Sequence, residues 1–122
     1  MIDPSLVSVA LQLNSDGTDT DIITVPTGYK AAVSMLFLSN TNGSTGSVEA
    51  SWYRSHTDTA VPFLGTKSLS SGDFLRFSST SVNDVLLMRE GDIFSASCGS
   101  GDTITAIMTV QLLRDDAPSY LD

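Results

Sequence analysis

The sequence predicts an all-β fold, an antiparallel β-sandwich of about eight strands, jelly-roll or immunoglobulin-like, with an extended C-terminal tail. Three observations carry that expectation. Apolar residues recur with period two along most of the chain, and no 3.6-residue apolar stripe outlasts about two turns. Of 14 acidic residues only Glu49 and Glu90 are glutamate, and Asp favours turns where Glu favours helices. Ser and Thr, about a quarter of the 122 residues, suit strands and turns better than helix interiors.

In chain order, Val7, Val9, Leu11 and Leu13 share one face of a first strand, which Asn14-Ser15-Asp16-Gly17 ends. Asp21–Val25 reads as a short strand closed by Pro26-Thr27-Gly28, where glycine takes the positive φ of a type II turn. Lys30–Asn40 is expected to be the most buried strand. Ala31, Val33, Met35 and Phe37 line one of its faces, with Leu36 and Leu38 on the other towards its end. After the Thr41–Gly46 loop, Val48, Ala50 and Trp52 alternate with Glu49, Ser51 and Tyr53, and pairing with the preceding strand as a hairpin is the simplest arrangement. His56–Gly65 is irregular and contains Pro62, which predicts an edge segment or a loop with a short strand near Phe63-Leu64. Val85–Arg89 is expected to pair with Ile93–Cys98 across Glu90-Gly91. Three strands follow Gly-Asp dyads at 72–73, 91–92 and 101–102, where glycine supplies the left-handed residue and Asp can accept a backbone N–H just beyond it. In the last, Ile104, Ala106, Met108, Val110 and Leu112 share a face. The whole reads as one domain over 1–122, with a core at about 6–113 and an arm over 114–122.

A formal charge of -8 argues against nucleic-acid binding through phosphate neutralisation, and no basic patch is visible in the sequence. The single cysteine, Cys98, rules out an intramolecular disulfide and multi-thiolate metal sites within one chain. It is in phase with Phe94 and Ala96 and is expected to behave as a small buried hydrophobe. The N-terminal stretch has no basic residue and a proline at position 4, unlike a signal peptide, and no apolar run reaches the roughly 20 residues of a membrane span. A soluble chain made in a reducing compartment is the expectation.

Constellations for chemistry are sparse. His56 is the only histidine, with Asp58 two residues on, but no Gly-x-Ser-x-Gly elbow supplies a nucleophile. No catalytic residue, cofactor or enzymatic activity is expected. The alternating oxygens of Asn14–Asp21 make Asp16, Asp19 and Asp21 the best metal candidates. Gln12 and Ile23 fall where a calcium loop needs carboxylates, and Asx turns explain the stretch equally well. Trp52 is expected to pack in the core, and three scattered tyrosines make a poor carbohydrate platform.

The stretch Ile23-Thr24-Val25-Pro26-Thr27-Gly28-Tyr29-Lys30, continuing to Leu36-Phe37-Leu38-Ser39-Asn40, resembles the opening of small β-sandwich virion proteins of tailed bacteriophages. Leu69-Ser70-Ser71-Gly72-Asp73 and Leu86-Leu87-Met88-Arg89-Glu90-Gly91-Asp92-Ile93 resemble their "L-x-x-G-D" turns, so the likeness spans about residues 22–113. It implies a capsid decoration or cement protein that binds the major capsid protein on the outside of a phage head. It implies a virion location after synthesis in the host cytoplasm, with no nucleic-acid or membrane partner. A homo-oligomer, with a trimer preferred on symmetry grounds, is the matching assembly. The expected contacts are the terminal arms and the 41–46 loop: Ile2, Pro4, Asn42, Ser44, Arg114, Pro118, Tyr120 and Leu121. The alternatives are a tail, adaptor or receptor-binding component, or a lectin-like carbohydrate-binding module.

Overall fold

Alternating apolar residues need a partner sheet to cover them, and the chain supplies both layers itself. The computed structural model describes residues 5–78 and 86–114. Within them lie β1 (Ser5–Gln12), β2 (Thr20–Thr24), β3 (Tyr29–Asn40), β4 (Gly46–Arg54), β5 (Thr59–Leu69), β6 (Phe74–Ser78), β7 (Leu86–Met88), β8 (Ile93–Cys98) and β9 (Ile104–Arg114). The first sheet has the order β1-β9-β3-β6, with β7 also on β3, and the second has the order β2-β8-β4-β5. All pairings are antiparallel. Strands β6 and β7 lie one after the other along β3, opposite Met35–Ser39 and Ala31–Val33. They act as one interrupted strand, and the order is then that of a jelly roll. An immunoglobulin-like order would keep the first two strands in one sheet; here they lie in different sheets.

The core lies between the sheets. Ile104, Ala106, Met108 and Val110 of β9, Leu36 and Leu38 of β3, Val48 and Ala50 of β4, and Phe94 and Ala96 of β8 are all buried. Burial of one such large side chain stabilises by about 1.5–3 kcal/mol. Gly72, Gly91 and Gly101 adopt the expected positive φ, +77°, +81° and +85°.

Three sequence expectations need correction. The register shifts between Val33 and Met35, a bulge that inserts Ser34 and reverses the inward phase. Leu36, Leu38 and Asn40 therefore point into the core, while Met35 and Phe37 turn to the outer face. β4 does not form a hairpin with β3; it pairs with β5 and β8, because the 41–45 loop crosses between sheets. Buried Asn40 anchors that crossing by donating from Nδ2 to the carbonyls of Ser44 and Leu69, both at 2.9 Å, and accepting from Asn42 N–H at 2.9 Å. β7 pairs with β3 and not with β8, the 89–92 turn being another crossing between sheets; Val85 lies outside the described residues. Of the two readings for the segment around Pro62, an edge segment or a loop with a short strand, the edge holds: it lies in β5, an eleven-residue strand at the end of the second sheet. Pro62 is tolerated there because, among the described residues, no strand pairs with the other side of β5.

The crossings sort into two ends. Gly91 N–H donates to Val25 and Val25 N–H to Asp92 (both 2.9 Å), joining the 25–29 and 89–92 turns near the end of β9. Gly101 N–H donates to Ser15 (2.7 Å) and Thr41 N–H to Thr103 (3.0 Å) at the opposite end.

Candidate functional site

The outward residues of the first sheet form its most distinctive surface. Because β9 turns its even-numbered residues inward, Thr105, Ile107, Thr109 and Gln111 face out. Register sets Ala10, Ile107, Phe37 and Arg76 in one row across the four strands. The neighbouring row holds Ser8, Thr109, Met35 and Ser78, tied by a 3.1 Å hydrogen bond between the hydroxyls of Ser8 and Thr109. Phe74 is 52% exposed and stacks on Phe37 with ring centroids 5.1 Å apart. Leu87 is 57% and Leu6 74% exposed on the same sheet. None of its five strands contains an Asp or Glu, although the chain carries -8. The second sheet, by contrast, carries Asp21 and Glu49, the latter accepting from Thr66 Oγ1 (2.9 Å) and Ser97 Oγ (3.3 Å).

At the end where β9 finishes, Asp92 is fully buried. Its Oδ1 accepts from Ser55 N–H (2.9 Å) and Ser55 Oγ (3.1 Å), and its Oδ2 from Trp52 Nε1 (3.0 Å) and Arg89 N–H (3.0 Å). Burial opposes its charge, but these donors outweigh burial and hold the carboxyl below the usual carboxylate range. Trp52 thus packs against the core with its indole N–H satisfied. Around this clasp opens a cleft of about 320 Å³ whose wall includes Lys30, Arg54, His56 and Arg89.

The sequence-predicted residues fall in several places. Among the described residues no three His, Cys, Asp or Glu side chains converge to hold a metal. Asp16 Oδ1 is engaged by Thr18, from N–H at 3.1 Å and Oγ1 at 2.6 Å, and these bonds lower its pKa. That is the Asx turn. Asp19 contributes its carbonyl to Asn14 Nδ2 at 3.2 Å, and Asp21 lies on β2 opposite Ser95. His56 sits in an exposed turn where its Nε2 accepts from Arg54 Nη2 at 3.1 Å. The Cys98 thiol is buried, donates to the Asn14 carbonyl at 3.2 Å, and is pushed up by burial and by Asp102. Asn42 is pinned in its loop, accepting Gly43 N–H at Oδ1 (2.9 Å) and Ser71 Oγ at its carbonyl (2.7 Å), while Ser44 is exposed. Arg114 ends β9 opposite Tyr29, at the end of the molecule away from that loop. Ile2, Pro4, Pro118, Tyr120 and Leu121 lie outside the described residues.

Sequence reasoning missed the outer face and the cleft. The first had a readable signal, the absence of carboxylates from the future β1, β3, β6, β7 and β9. The second had none, because Lys30, Arg54 and Arg89 are far apart in the chain.

No family of known proteins and no curated protein matches the chain by sequence. Its fold is shared with several solved structures. A chain of the acid-stable capsid of Helicobacter pylori bacteriophage KHP30 superposes with a TM-score of 0.57 at 11% identity, covering 88% of this chain and 87% of that one. The disulfide-linked pili that form Bacillus endospore appendages give 0.53 at 16% identity, covering 92% and 90%. A chain of infectious bursal disease virus, Gx strain, gives 0.50 at 9% identity, covering 96% of this chain but only 35% of that one. At these identities the likeness is one of fold.

Proposed function

We propose that the chain is a structural virion protein, a decoration or cement subunit that binds the outer surface of a phage head and adds no chemistry of its own. The observation that carries this is the outer face of the first sheet, whose strands hold no Asp or Glu and which exposes Leu6, Phe74 and Leu87, on a chain of charge -8. On a soluble monomer such a face has no function; on a coat subunit it is the side that meets the shell, while the acidic remainder stays in water and repels DNA. The fold, similar to that of a phage capsid chain, supports the same reading. Repetition over many equivalent positions lets a modest face hold, since each later contact along an array is effectively intramolecular. A homotrimer on local threefold positions of the major capsid protein is the arrangement we propose.

A pilus-type role through disulfide linkage is disfavoured by the chemistry of the only thiol, which is buried and reluctant to ionise. A lectin role is disfavoured by the aromatic residues, since Tyr29 packs on the core and Tyr53 spends its hydroxyl on Asp58 at 2.5 Å. The test is occupancy. Phe74→Asp with Leu87→Asp puts two carboxylates on the face at exposed positions, and particles made with that variant should lose the subunit while the free variant stays folded by circular dichroism. Full occupancy would reject the face as the contact.

A further inference from the structure

Among the described residues the two sheets end in four edges, and three of them are guarded against strand addition. β5 carries Pro62, Gly65 and Lys67 and shifts register twice against β4. β2 is five residues long, holds Asp21 and shifts register before Ile23. The edge formed by β6 and β7 is broken between them and carries Arg76. Charge, proline, irregular register and short length are the devices that keep edges from pairing. β1 has none of them. Its eight residues, Ser-Leu-Val-Ser-Val-Ala-Leu-Gln, include no charge, proline or glycine. They pair with β9 in unbroken register, from Ser5 opposite Leu112 to Gln12 opposite Thr105. Among the described residues no strand pairs with the other side of β1, where alternate residues turn N–H and C=O outwards. A second observation lies in the core. Val7, Val9 and Leu11 pack against it but are only partly buried, whereas Val110, Met108 and Ala106, opposite them on β9, are fully buried.

We propose that β1 docks a second copy of this chain, pairing antiparallel with the same strand of its partner about a twofold axis at Ser8. With the other three edges guarded, a partner copy has only its own β1 to offer. The contact is therefore isologous, and it closes at two copies because it uses up both open edges. Continuing the sheet keeps inward residues beside inward residues only when positions of the same parity are matched. A centre at Ser8 does this and sets Val7 opposite the partner's Val9 on both sides of the axis, since Val7-Ser8-Val9 reads the same in either direction. Such β-branched pairs stabilise sheets, and here they join the half-buried valine rows of the two cores. Leu6, exposed on the single chain, comes opposite the partner's Ala10. Charge favours the same place. Two copies at -8 repel each other, and the first sheet, whose strands hold no Asp or Glu, is where that repulsion is least. The inference does not depend on the proposed virion role; on a shell, a twofold contact of this kind joins a copy in one trimer to a copy in the next.

The test uses the full chain and measures self-association by sedimentation velocity, where the wild type should associate reversibly. Leu6→Lys with Ala10→Lys sets like charges directly opposite each other across the proposed contact, and Leu6→Lys with Ala10→Glu sets opposite charges there. Within one copy the two positions are about 13 Å apart along the strand, too far to pair. The first variant should dissociate about tenfold more readily than the second, although it is the less acidic chain, and both should stay folded by circular dichroism. Crosslinking reads the register. Under mild oxidation Ser8→Cys should give a disulfide-linked dimer, because the two thiols meet at the axis, whereas in Leu6→Cys they stand about 13 Å apart along the strands and should not join. Cys98 is buried and does not compete. A wild type that is monomeric at every concentration, equal dissociation of the two charge variants, or crosslinking of Leu6→Cys in preference to Ser8→Cys would overturn the proposal.

Discussion

Asp92 and Asn40 show how single polar residues hold the crossings of this jelly roll. Each Gly-Asp dyad predicts local turn chemistry, and Asp73 behaves so, accepting Phe74 N–H at 2.8 Å. Asp92 and Asp102 instead reach across the fold, to Ser55 and to Ser47 N–H (3.0 Å). The turn was legible because glycine and Asp act within four residues; the partner was not, because it lies 37 or 55 residues away. Asp92→Asn should cost about 2–3 kcal/mol at neutral pH, since an amide cannot accept four hydrogen bonds and brings an N–H₂ towards other donors. Its native pKa lies below that of the unfolded chain, so the wild-type advantage is full above the ordinary Asp value of about 3.9 and fades as pH falls below it. Urea denaturation at pH 7 and near pH 3 should show the gap between wild type and variant narrowing in acid. Asn40→Ala should cost about 2–3 kcal/mol by stranding the Leu69 and Ser44 carbonyls. Asn40→Asp should be worse at pH 7, where a carboxylate faces two carbonyl oxygens, and should recover in acid; equal stability of the two variants at pH 7 would contradict the hydrogen-bond assignment.

Among the elements, the strands themselves were readable and their partners were not. β1 and β9 stood out because uninterrupted alternation is the local imprint of one buried face. β3 carries the same imprint broken by one residue: Ala31 and Val33 are in one phase, Leu36 and Leu38 in the other, and only the Ser34 bulge makes both inward. Reading the first phase through the strand placed Met35 and Phe37 in the core; the opposite phase was visible in Leu36 and Leu38 but its cause was not. Thermal or urea unfolding separates the two phases. Leu38→Ala should cost about 3–4 kcal/mol, the figure for a fully buried leucine, whereas Phe37→Ala, on the outer face, should cost roughly 1 kcal/mol. The reverse order would restore the unbroken phase. Pairing partners were illegible for a different reason. A hairpin and a jelly-roll crossing present the same short polar loop, and the anchoring of the third-to-fourth strand connection by buried Asn40 is a tertiary fact.

For the whole molecule, charge was the most informative bulk property, and its placement matters more than its total. The -8 first argued only against nucleic-acid binding; the fold segregates it, leaving one sheet without a carboxylate and gathering half the cations at one cleft. That segregation is what a subunit with an inner and an outer side requires, and it is why the virion reading stands on this surface and not on any cluster of reactive groups. Salt should have little effect on attachment through the exposed Leu6, Phe74 and Leu87 side chains, because screening acts on charge pairs and not on apolar burial. The most direct measurement of the central claim is the copy number of the chain in purified phage particles by quantitative mass spectrometry. A decoration or cement subunit following capsid symmetry should be present at on the order of hundreds of copies per particle, and its absence from particles, or a dozen copies or fewer, would contradict the account.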